Sequence, residues 1–386
     1  MHGGASMSNE ITETIQEERR YYDISDILAL DATYNLIYGE RGNGKTFAVC
    51  HLILKAYFEE NLPSAYIRRL DEMIKQGNIE KLFSDPHHIQ YIEEMSGGEW
   101  NYVKYQFHGF YLQKRDPISH ALIKRDVEPF CRTYAISTEE TAKGADRGKV
   151  KYVFFDEFIT RHFYLSNEVV LFQSLLESII RKRPGVKIFM VANTVNKHCV
   201  YFKHMGLDHV KKQQQGTIDQ YLLGKAGTKI ACEYTEDSDE AASSVAEQYY
   251  CFNNPQVEMI KHGSWEFDIY RTIPKGMGKY NPELEFFIEF DDNIIRGLLY
   301  IYNDNPIICF SPKTTPIKDR DKYIIYSDTS ESSSPLHQFE LARCPTRAQE
   351  VILDLFKQHK TYFADNDTGE NIQNWLKYST KGGLKV

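Results

Sequence analysis

The stretch GERGNGKTF, residues 39–47, decides the fold of this chain. It has the spacing G-x-x-x-x-G-K-[ST], in which small residues let successive backbone N–H groups turn inward around the β- and γ-phosphates of a nucleotide. The lysine adds a mobile cation, and the hydroxyl after it can reach a Mg²⁺ ion. The residues predicted to bind the nucleotide here are Gly39, Arg41, Gly42, Gly44, Lys45 and Thr46, with Thr46 also predicted as a metal ligand.

The segments on either side of this loop test the motif. YNLIYG, residues 34–39, is a short apolar run typical of a strand, and KTFAVCHLILKAYF, residues 45–58, has apolar residues at helical spacing. Strand, glycine loop and helix follow in the order that a phosphate-binding loop requires. The alternative, a glycine-rich turn that binds nothing, does not explain both flanks.

Length and composition limit the class of protein. A chain of 386 residues predicts two to three domains, and 42% hydrophobic with 26% charged residues is ordinary for a soluble globular protein. No apolar stretch is as long as a membrane span, and nothing in the sequence suggests secretion, because no positively charged start is followed by an apolar run. Residues 1–6, MHGGAS, look like the remnant of an expression tag.

The cysteines and the net charge indicate the redox compartment and the kind of partner that the protein can have. The 7 cysteines are scattered without C-x-x-C spacing, which favours buried thiols in a reducing cytoplasm over disulfides or a zinc site. The net charge of −8 argues against a protein that coats nucleic acid. It still allows one basic surface on an otherwise acidic molecule, because binding follows the local potential.

A second motif, KYVFFDEF at residues 151–158, points to hydrolysis. An apolar strand ends in Asp156, placed to hold Mg²⁺, and in Glu157, placed to polarise an attacking water. The alternative is an acidic turn that closes a buried strand. GTP is disfavoured because the nearest match to N-K-x-D, NKHC at residues 196–199, lacks the acid. ATP with Mg²⁺ is therefore the predicted ligand.

Three further strand or helix ends carry polar residues. The helix predicted in NEVVLFQSLLESIIRKR is closed by Arg181, Lys182 and Arg183. Arg181 is either an arginine finger for a neighbouring subunit's γ-phosphate, with Arg183 as the fallback candidate, or a cation that compensates the helix dipole. The strand GVKIFMVANT ends in Asn193, where a γ-phosphate sensor would lie. SAYIRR ends in Arg68 and Arg69, candidates for phosphate or intersubunit contacts, with a surface ion pair as the alternative.

With GERGNGKT, AYIRR, VFFDEF and VKIFMVANT in this order, the chain resembles the DNA-packaging ATPases of phi29-type podoviruses, which are ASCE P-loop motors of FtsK/HerA-like type. The resemblance is specific over about residues 34–196. It implies Glu157 as catalytic base, Asp156 as the Walker B acid and metal ligand, and Arg181 as a finger that acts in trans. The family's trans-acting lysine has no clear equivalent, because Leu70 and Asp71 follow the arginine pair; Lys75, Lys143 and Arg147 are candidates.

The resemblance also implies partners and a location. We expect a homo-oligomeric ring, a pentamer, that acts on double-stranded DNA at the viral portal of a procapsid, with no membrane contact. The expected location is the host cytoplasm, with transient attachment to the procapsid. Another ASCE DNA translocase or a helicase is the alternative function, and a nucleotide-dependent assembly protein is a third.

A long segment between the first motifs predicts hairpins. Residues 100–126 alternate polar and aromatic side chains, and several cations fall at or near the turns. In a ring, such loops can face the pore and contact phosphates, or they can be charged hairpin edges protected from aggregation. The DNA-binding candidates are Lys114, Arg115, Lys124 and Arg125.

The predicted fold class is α/β, with a P-loop ASCE ATPase domain, a linker region and a smaller α+β domain. We predict an N-terminal extension at 1–22, the ATPase domain at 23–200, the linker at 201–265 and the last domain at 266–386. The last domain combines a three-strand meander, broken at 291–293 and 303–305, with a fourth strand and two helices. That order matches an RNase H-like domain, which the resemblance makes a vestigial nuclease. Its available acids are Asp291, Asp292, Asp328 and Asp365, and we expect no working metal cluster.

Overall fold

The structure is a computed structural model that describes residues 22–142, 149–160, 164–165, 167–194, 198–236, 270–291, 293–327 and 334–380. Within these residues the chain forms two β-sheets, each with its own apolar core. The 6 cysteines in these ranges are all free thiols. In the same ranges, no helix has the length and apolar character needed to cross a bilayer.

The first sheet contains 10 strands among the described residues. They are β1 (Tyr34–Gly39), β2 (Ser64–Arg68), β3 (Tyr102–Gln106), β4 (Gly109–Arg115), β5 (Leu122–Arg125), β6 (Cys131–Ala135), β7 (Tyr152–Asp156), β8 (Lys187–Asn193), β9 (Thr217–Leu223) and β10 (Thr228–Tyr234). Their spatial order is β3-β4-β6-β2-β7-β8-β1-β10-β9, and β5 pairs with β4. The run from β6 to β10 is parallel, and antiparallel strands occupy both ends.

Helices of this part connect or flank those strands. They are α1 (Ser25–Ala29), α2 (Lys45–Glu60), α3 (Gln76–Ile79), α4 (Pro86–Met95), α5 (Glu168–Ile180) and α6 (Val200–His204). Short 3₁₀ turns lie at Asp71–Ile74, Ile136–Ala142 and Val210–Lys212. The helix predicted after the glycine loop and the one predicted before Arg181 are both confirmed.

The apolar runs predicted as strands form the centre of this sheet. All of β7 is buried, as is β1 after its first residue, because parallel strands are covered on both faces. Phe172 of α5 packs on one face and Ile53 of α2 on the other. The carboxyl ends of β1, β7 and β8 consequently meet at one edge, where α/β sheets bind ligands.

The predicted linker, residues 201–265, is wrong over residues 201–236. This part contains most of α6 and the strands β9 and β10, and β10 pairs with β1 in parallel. The glutamines and glycines around residue 215 resemble a loop, yet they only precede an edge hairpin of the first sheet. Residues 237–265 lie outside the described ranges.

The second sheet begins with the predicted meander, which is confirmed. Its strands are β11 (Leu284–Phe290), β12 (Asn293–Tyr302), β13 (Asn305–Lys313), β14 (Ile324–Ser327), β15 (His337–Gln338) and β16 (Thr361–Phe363), in the order β15-β14-β11-β12-β13-β16. The fourth strand, β14, runs parallel to β11. Asn303 and Asp304 both have positive φ, 48° and 60°, as a two-residue hairpin turn requires.

Two helices, α7 (Arg347–Lys357) and α8 (Asn366–Ser379), pack against this sheet. Trp375 and Ile372 of α8 are fully buried in its core together with Phe310 of β13. A capping box at Thr346 and Gln349 starts α7, and it satisfies backbone groups that a helix end leaves open. The predicted helices in RAQEVILDLFKQHK and TGENIQNWLKY are therefore confirmed.

The two sheets contact each other at His198, which follows β8. Its Nδ1 lies 3.0 Å from Oδ2 of Asp291, and Nζ of Lys203 lies 3.6 Å from Oδ1 of the same carboxylate. The His198 ring also packs against Phe290 and Tyr378, with ring centroids 5.2 and 5.7 Å apart. Tyr378 of α8 reaches the core of the first sheet, so this contact is continuous with that core.

Candidate functional site

The glycine loop between β1 and α2 has the backbone that its sequence predicts. Gly44 precedes α2 with φ 95°, a left-handed conformation that glycine adopts without strain. At Gly39, an added Cβ would lie 2.0 Å from Oγ1 of Thr235, so only glycine allows this close approach. The loop therefore turns tightly into the helix, whose N-terminus is a site for anions.

Lys45 is the buried cation of the loop. Its side chain is only 4% exposed, and Nζ donates to Oδ1 of Asn43 at 2.9 Å and to the carbonyl of Glu40. Burial lowers the pKa of Lys45 to about 7. A phosphate at the loop would supply the negative charge that favours the protonated form.

Asp156, at the end of β7, lies across from the loop. One oxygen accepts from Oγ1 of Thr46 at 3.5 Å, and the other from the hydroxyl of Tyr66 at 3.0 Å. Burial raises the pKa of Asp156. A hydroxyl and a carboxylate on facing elements are oxygen ligands of the kind that Mg²⁺ prefers.

These groups line a cavity of ≈ 270 Å³. Its described lining residues are Gly42, Asn43, Gly44, Lys45, Thr46, Phe47, Asp156, Glu157, Val191, Ala192 and Asn193. The predicted sensor Asn193 thus reaches the cavity that holds the loop and both acids. It does so because β8 lies between β1 and β7 in the sheet.

Glu157 is held by an arginine that the sequence did not assign to it. Nη2 of Arg68 lies 2.6 Å from Oε2 of Glu157, and Nη1 lies 3.2 Å from Oδ2 of Asp156. The Glu157 side chain is 53% exposed, so water can approach it. Arg68 therefore bridges the two acids of the cavity within one chain.

Arg69 corrects a prediction. Its side chain is 3% exposed and forms a buried ion pair with Glu168, Nε to Oε2 at 2.8 Å, so it is available neither for a phosphate nor for a surface pair or a neighbouring subunit. Arg68 is the last residue of β2 and Arg69 follows it, and the two side chains have different partners: Arg68 contacts the acids of the cavity and Arg69 contacts Glu168. Glu168 was not predicted, because it lies 99 residues further along the chain.

Arg181 lies apart from this cavity. It is the C-cap of α5 with φ 47°, is exposed, and is not among the described residues that line the cavity. Arg183 is likewise not among the described residues that line the cavity. The geometry fits both predicted alternatives, a finger for another subunit and a cation at the helix C-terminus.

The four DNA-binding candidates lie on the hairpin of β4 and β5. Arg115 lies over the ring of Tyr102 at 4.1 Å, Lys124 over Trp100 at 4.7 Å and Arg125 over Tyr111 at 5.8 Å. Lys114 donates to the carbonyl of Gly98 at 2.8 Å, and Lys124 also pairs with Glu99. All residues of β5 are exposed, whereas β4 is buried except for Lys114 and Arg115 at its end, which are half-buried. The four cations therefore lie at the exposed end of the hairpin.

The acids of the second sheet have structural partners. Asp291 pairs with His198, and Asp365 caps α8 by accepting from the N–H of Thr368 at 2.7 Å. Asp292 and Asp328 lie outside the described ranges. Among the described residues, no group of three or more His, Cys, Asp or Glu side chains could hold a metal ion. Lys75 is exposed beside Glu72, while Lys143 and Arg147 are not described.

The glycine loop joins the central parallel strand β1 to α2, and two acids at the end of β7 face it. β8 lies between β1 and β7 in the sheet. This arrangement defines an ASCE-type P-loop α/β protein. The sequence profile of the podovirus DNA encapsidation protein (Gp16) family matches residues 17–215, more than half of the chain, and the chain belongs to this family.

Solved structures show the same fold at low identity. A structure described as the bacteriophage Phi-29 viral genome packaging motor assembly is 14% identical, with a TM-score of 0.55, over 94% of this chain and 99% of that chain. The Phi-28 gp11 DNA packaging motor is 16% identical, with a TM-score of 0.51, over 94% and 98%. No curated protein sequence matches the chain.

Proposed function

We propose that this protein is an ATP-hydrolysing motor that moves double-stranded viral DNA into a procapsid through the portal. The observation that carries the proposal is the convergence of Lys45, Thr46, Asp156 and Glu157 on one cavity in a chain of the DNA encapsidation family. The fold shared with packaging-motor structures supports it.

Each residue of the cavity has a separate role in the proposed reaction. Backbone N–H groups of residues 39–46 and the Lys45 ammonium hold the β- and γ-phosphates. Thr46 and Asp156 would hold Mg²⁺, which when bound would neutralise charge on those phosphates. Glu157 orients and polarises the attacking water once its carboxylate leaves Arg68, and Asn193 contacts the γ-phosphate.

Other proposed roles lie outside the cavity. Arg181 acts on the nucleotide of a neighbouring subunit in a homo-oligomeric ring, which we expect to be a pentamer. The cations Lys114, Arg115, Lys124 and Arg125 contact DNA phosphates. The second sheet forms an RNase H-like domain without nuclease activity that binds nucleic acid or the portal. The motor then works in the host cytoplasm, attached transiently to the procapsid.

Two single variants test the assignment. Lys45→Ala should abolish ATP binding, while Glu157→Gln should bind ATP normally and turn it over at least about 10²-fold more slowly, because only the base is lost. Binding is measured with a fluorescent ATP analogue and turnover by phosphate release. Equal loss of binding in both variants would contradict the roles.

DNA dependence separates the motor from other functions. A packaging motor should hydrolyse ATP faster with double-stranded DNA than with single-stranded DNA of equal length. The reverse preference would indicate a helicase. ATP binding without any hydrolysis, with or without DNA, would indicate a nucleotide-dependent assembly protein.

A further inference from the structure

The backbone of Glu157 has an unusual conformation that the surrounding structure must hold. Its φ is 59°, in the left-handed region that residues with a side chain rarely adopt. Such a conformation persists only where neighbouring contacts determine it. It also sets the direction in which the Glu157 carboxylate leaves the strand end, so those contacts control the geometry of the cavity.

The guanidinium of Arg69 supplies such contacts on the buried side. Nη1 donates to the carbonyl of Glu157 at 3.2 Å, and Nη2 donates to the carbonyl of Phe158 at 2.8 Å. A guanidinium is planar and rigid, so its two nitrogens fix two successive peptide groups relative to each other. These are the peptide groups on the carboxyl side of Glu157 and Phe158.

Glu168 in turn fixes Arg69. Its two oxygens accept from Nε of Arg69 at 3.0 and 2.8 Å, and they also accept from the hydroxyl of Tyr201 at 2.9 Å and the N–H of Leu165 at 2.8 Å. The Arg69 guanidinium further lies over the ring of Tyr164 at 4.8 Å. With these partners the guanidinium has no freedom to turn away from the two carbonyls.

The energetics of the Arg69–Glu168 pair favour a role in orienting its hydrogen-bond partners over a role in stability. Both side chains are almost fully buried, at 3% and 1% exposure. Because desolvation offsets much of the attraction between buried charges, such a pair contributes little net stability compared with apolar residues of the same size. Its hydrogen-bond directions, in contrast, cannot be supplied by apolar residues.

We propose that Arg69 and Glu168 are positioning residues for hydrolysis: the pair holds the Glu157 backbone left-handed, so that its carboxylate stays beside Asp156 in the cavity. This inference rests on the proposed function, in which Glu157 is the base. Neither Arg69 nor Glu168 belongs to the described residues that line the cavity, so both act through Glu157.

Kinetics of Glu168→Gln and Arg69→Lys test the proposal. Each should lower kcat by about 10²-fold, the usual cost of misplacing a reacting group by about 1 Å, and leave the Kd for an ATP analogue within about threefold of wild type. In a Glu157→Gln background, Glu168→Gln should cause no further loss. Additive losses would overturn the proposal.

An apolar replacement separates positioning from folding. Arg69→Met combined with Glu168→Leu removes both charges at once, so it leaves no unpaired buried charge and should have a higher Tm than either single variant. Its turnover should stay as low as that of the single variants. Wild-type turnover in this double variant would overturn the proposal. So would low turnover in the control Glu289→Gln, which removes the charge from a bidentate pair with Arg320 in the second sheet.

A crystal structure of Glu168→Gln supplies a readout that does not need activity. Glu157 should leave the left-handed region and its carboxylate should move away from Asp156. If wild type hydrolyses no ATP, the proposed function fails, yet this movement still supports the positioning role. A Glu157 φ that stays near 59° overturns the inference in either case.

Discussion

Replacement of Glu233 by glutamine should stabilise the protein at neutral and alkaline pH. Glu233 lies on β10, in register with Ile37 of β1, and the Tyr22 hydroxyl donates to its Oε2 at 2.5 Å. Burial, together with the negative charges of Asp26, Asp23 and Glu236, raises the pKa of Glu233 from 4.5 to about 7, against the lowering effect of the Tyr22 hydrogen bond. Ionised Glu233 is therefore disfavoured in the folded state.

The raised pKa of Glu233 determines the direction and the size of its effect on stability as the pH changes. Between pH 4.5 and 7 the unfolded chain has lost this proton and the folded chain keeps it, so stability falls as the pH rises. The rise of the pKa from 4.5 to about 7 corresponds to about 3 kcal/mol, which is fully lost above pH 7. A glutamine side chain at this position does not ionise, and its amide oxygen can still accept from Tyr22.

Thermal unfolding of wild type and Glu233→Gln at pH 4 to 9 is the assay. Their Tm values should coincide below pH 4.5 and diverge up to pH 7, where the variant should be higher by about 6–12 °C. Other titrating groups cancel in the comparison. A difference that does not change with pH, or a wild type that is more stable at pH 8, would refute the reasoning.

Arg181→Ala subunits should bind ATP but hydrolyse it at least about 10³-fold more slowly, as measured by phosphate release. Mixing them with Lys45→Ala subunits should restore part of the turnover, since mixed rings pair an intact loop with an intact finger. A lack of rescue in rings that demonstrably mix would favour the helix-dipole role. Plasmid DNA should stay intact with Mg²⁺ or Mn²⁺, as gel electrophoresis would show; cleavage lost on changing Asp291 or Asp365 would contradict an inactive domain. Asp365→Ala should cost about 1 kcal/mol by removing the cap of α8, measured by urea unfolding, and an unchanged midpoint would speak against that cap.

Elements with a strong local signal could be predicted from the sequence. β1, the glycine loop and α2 depend on glycine conformation and apolar periodicity within a few residues, and their positions match the prediction. The hairpin turn at Asn303 is equally local. Such features are decided by neighbours in the chain, which a sequence displays directly.

Features decided by distant partners were missed. The edge hairpin of β9 and β10 is half-exposed along β9 and resembles a polar loop, and only pairing with β1 makes it part of the first sheet. Arg69 and Glu168 look like two unrelated surface charges until the fold buries them together.

The contact between His198 and Asp291 limits how far the second sheet can travel. His198 follows Asn193 by five positions, a length of chain that spans at most about 18 Å. A short segment of chain thus joins Asn193, proposed to sense the nucleotide, to His198, which contacts the second sheet. While His198 keeps its hydrogen bond to Asp291, the end of β8 and the turn after β11 cannot separate by more than this length of chain allows, so a longer movement requires the hydrogen bond to open.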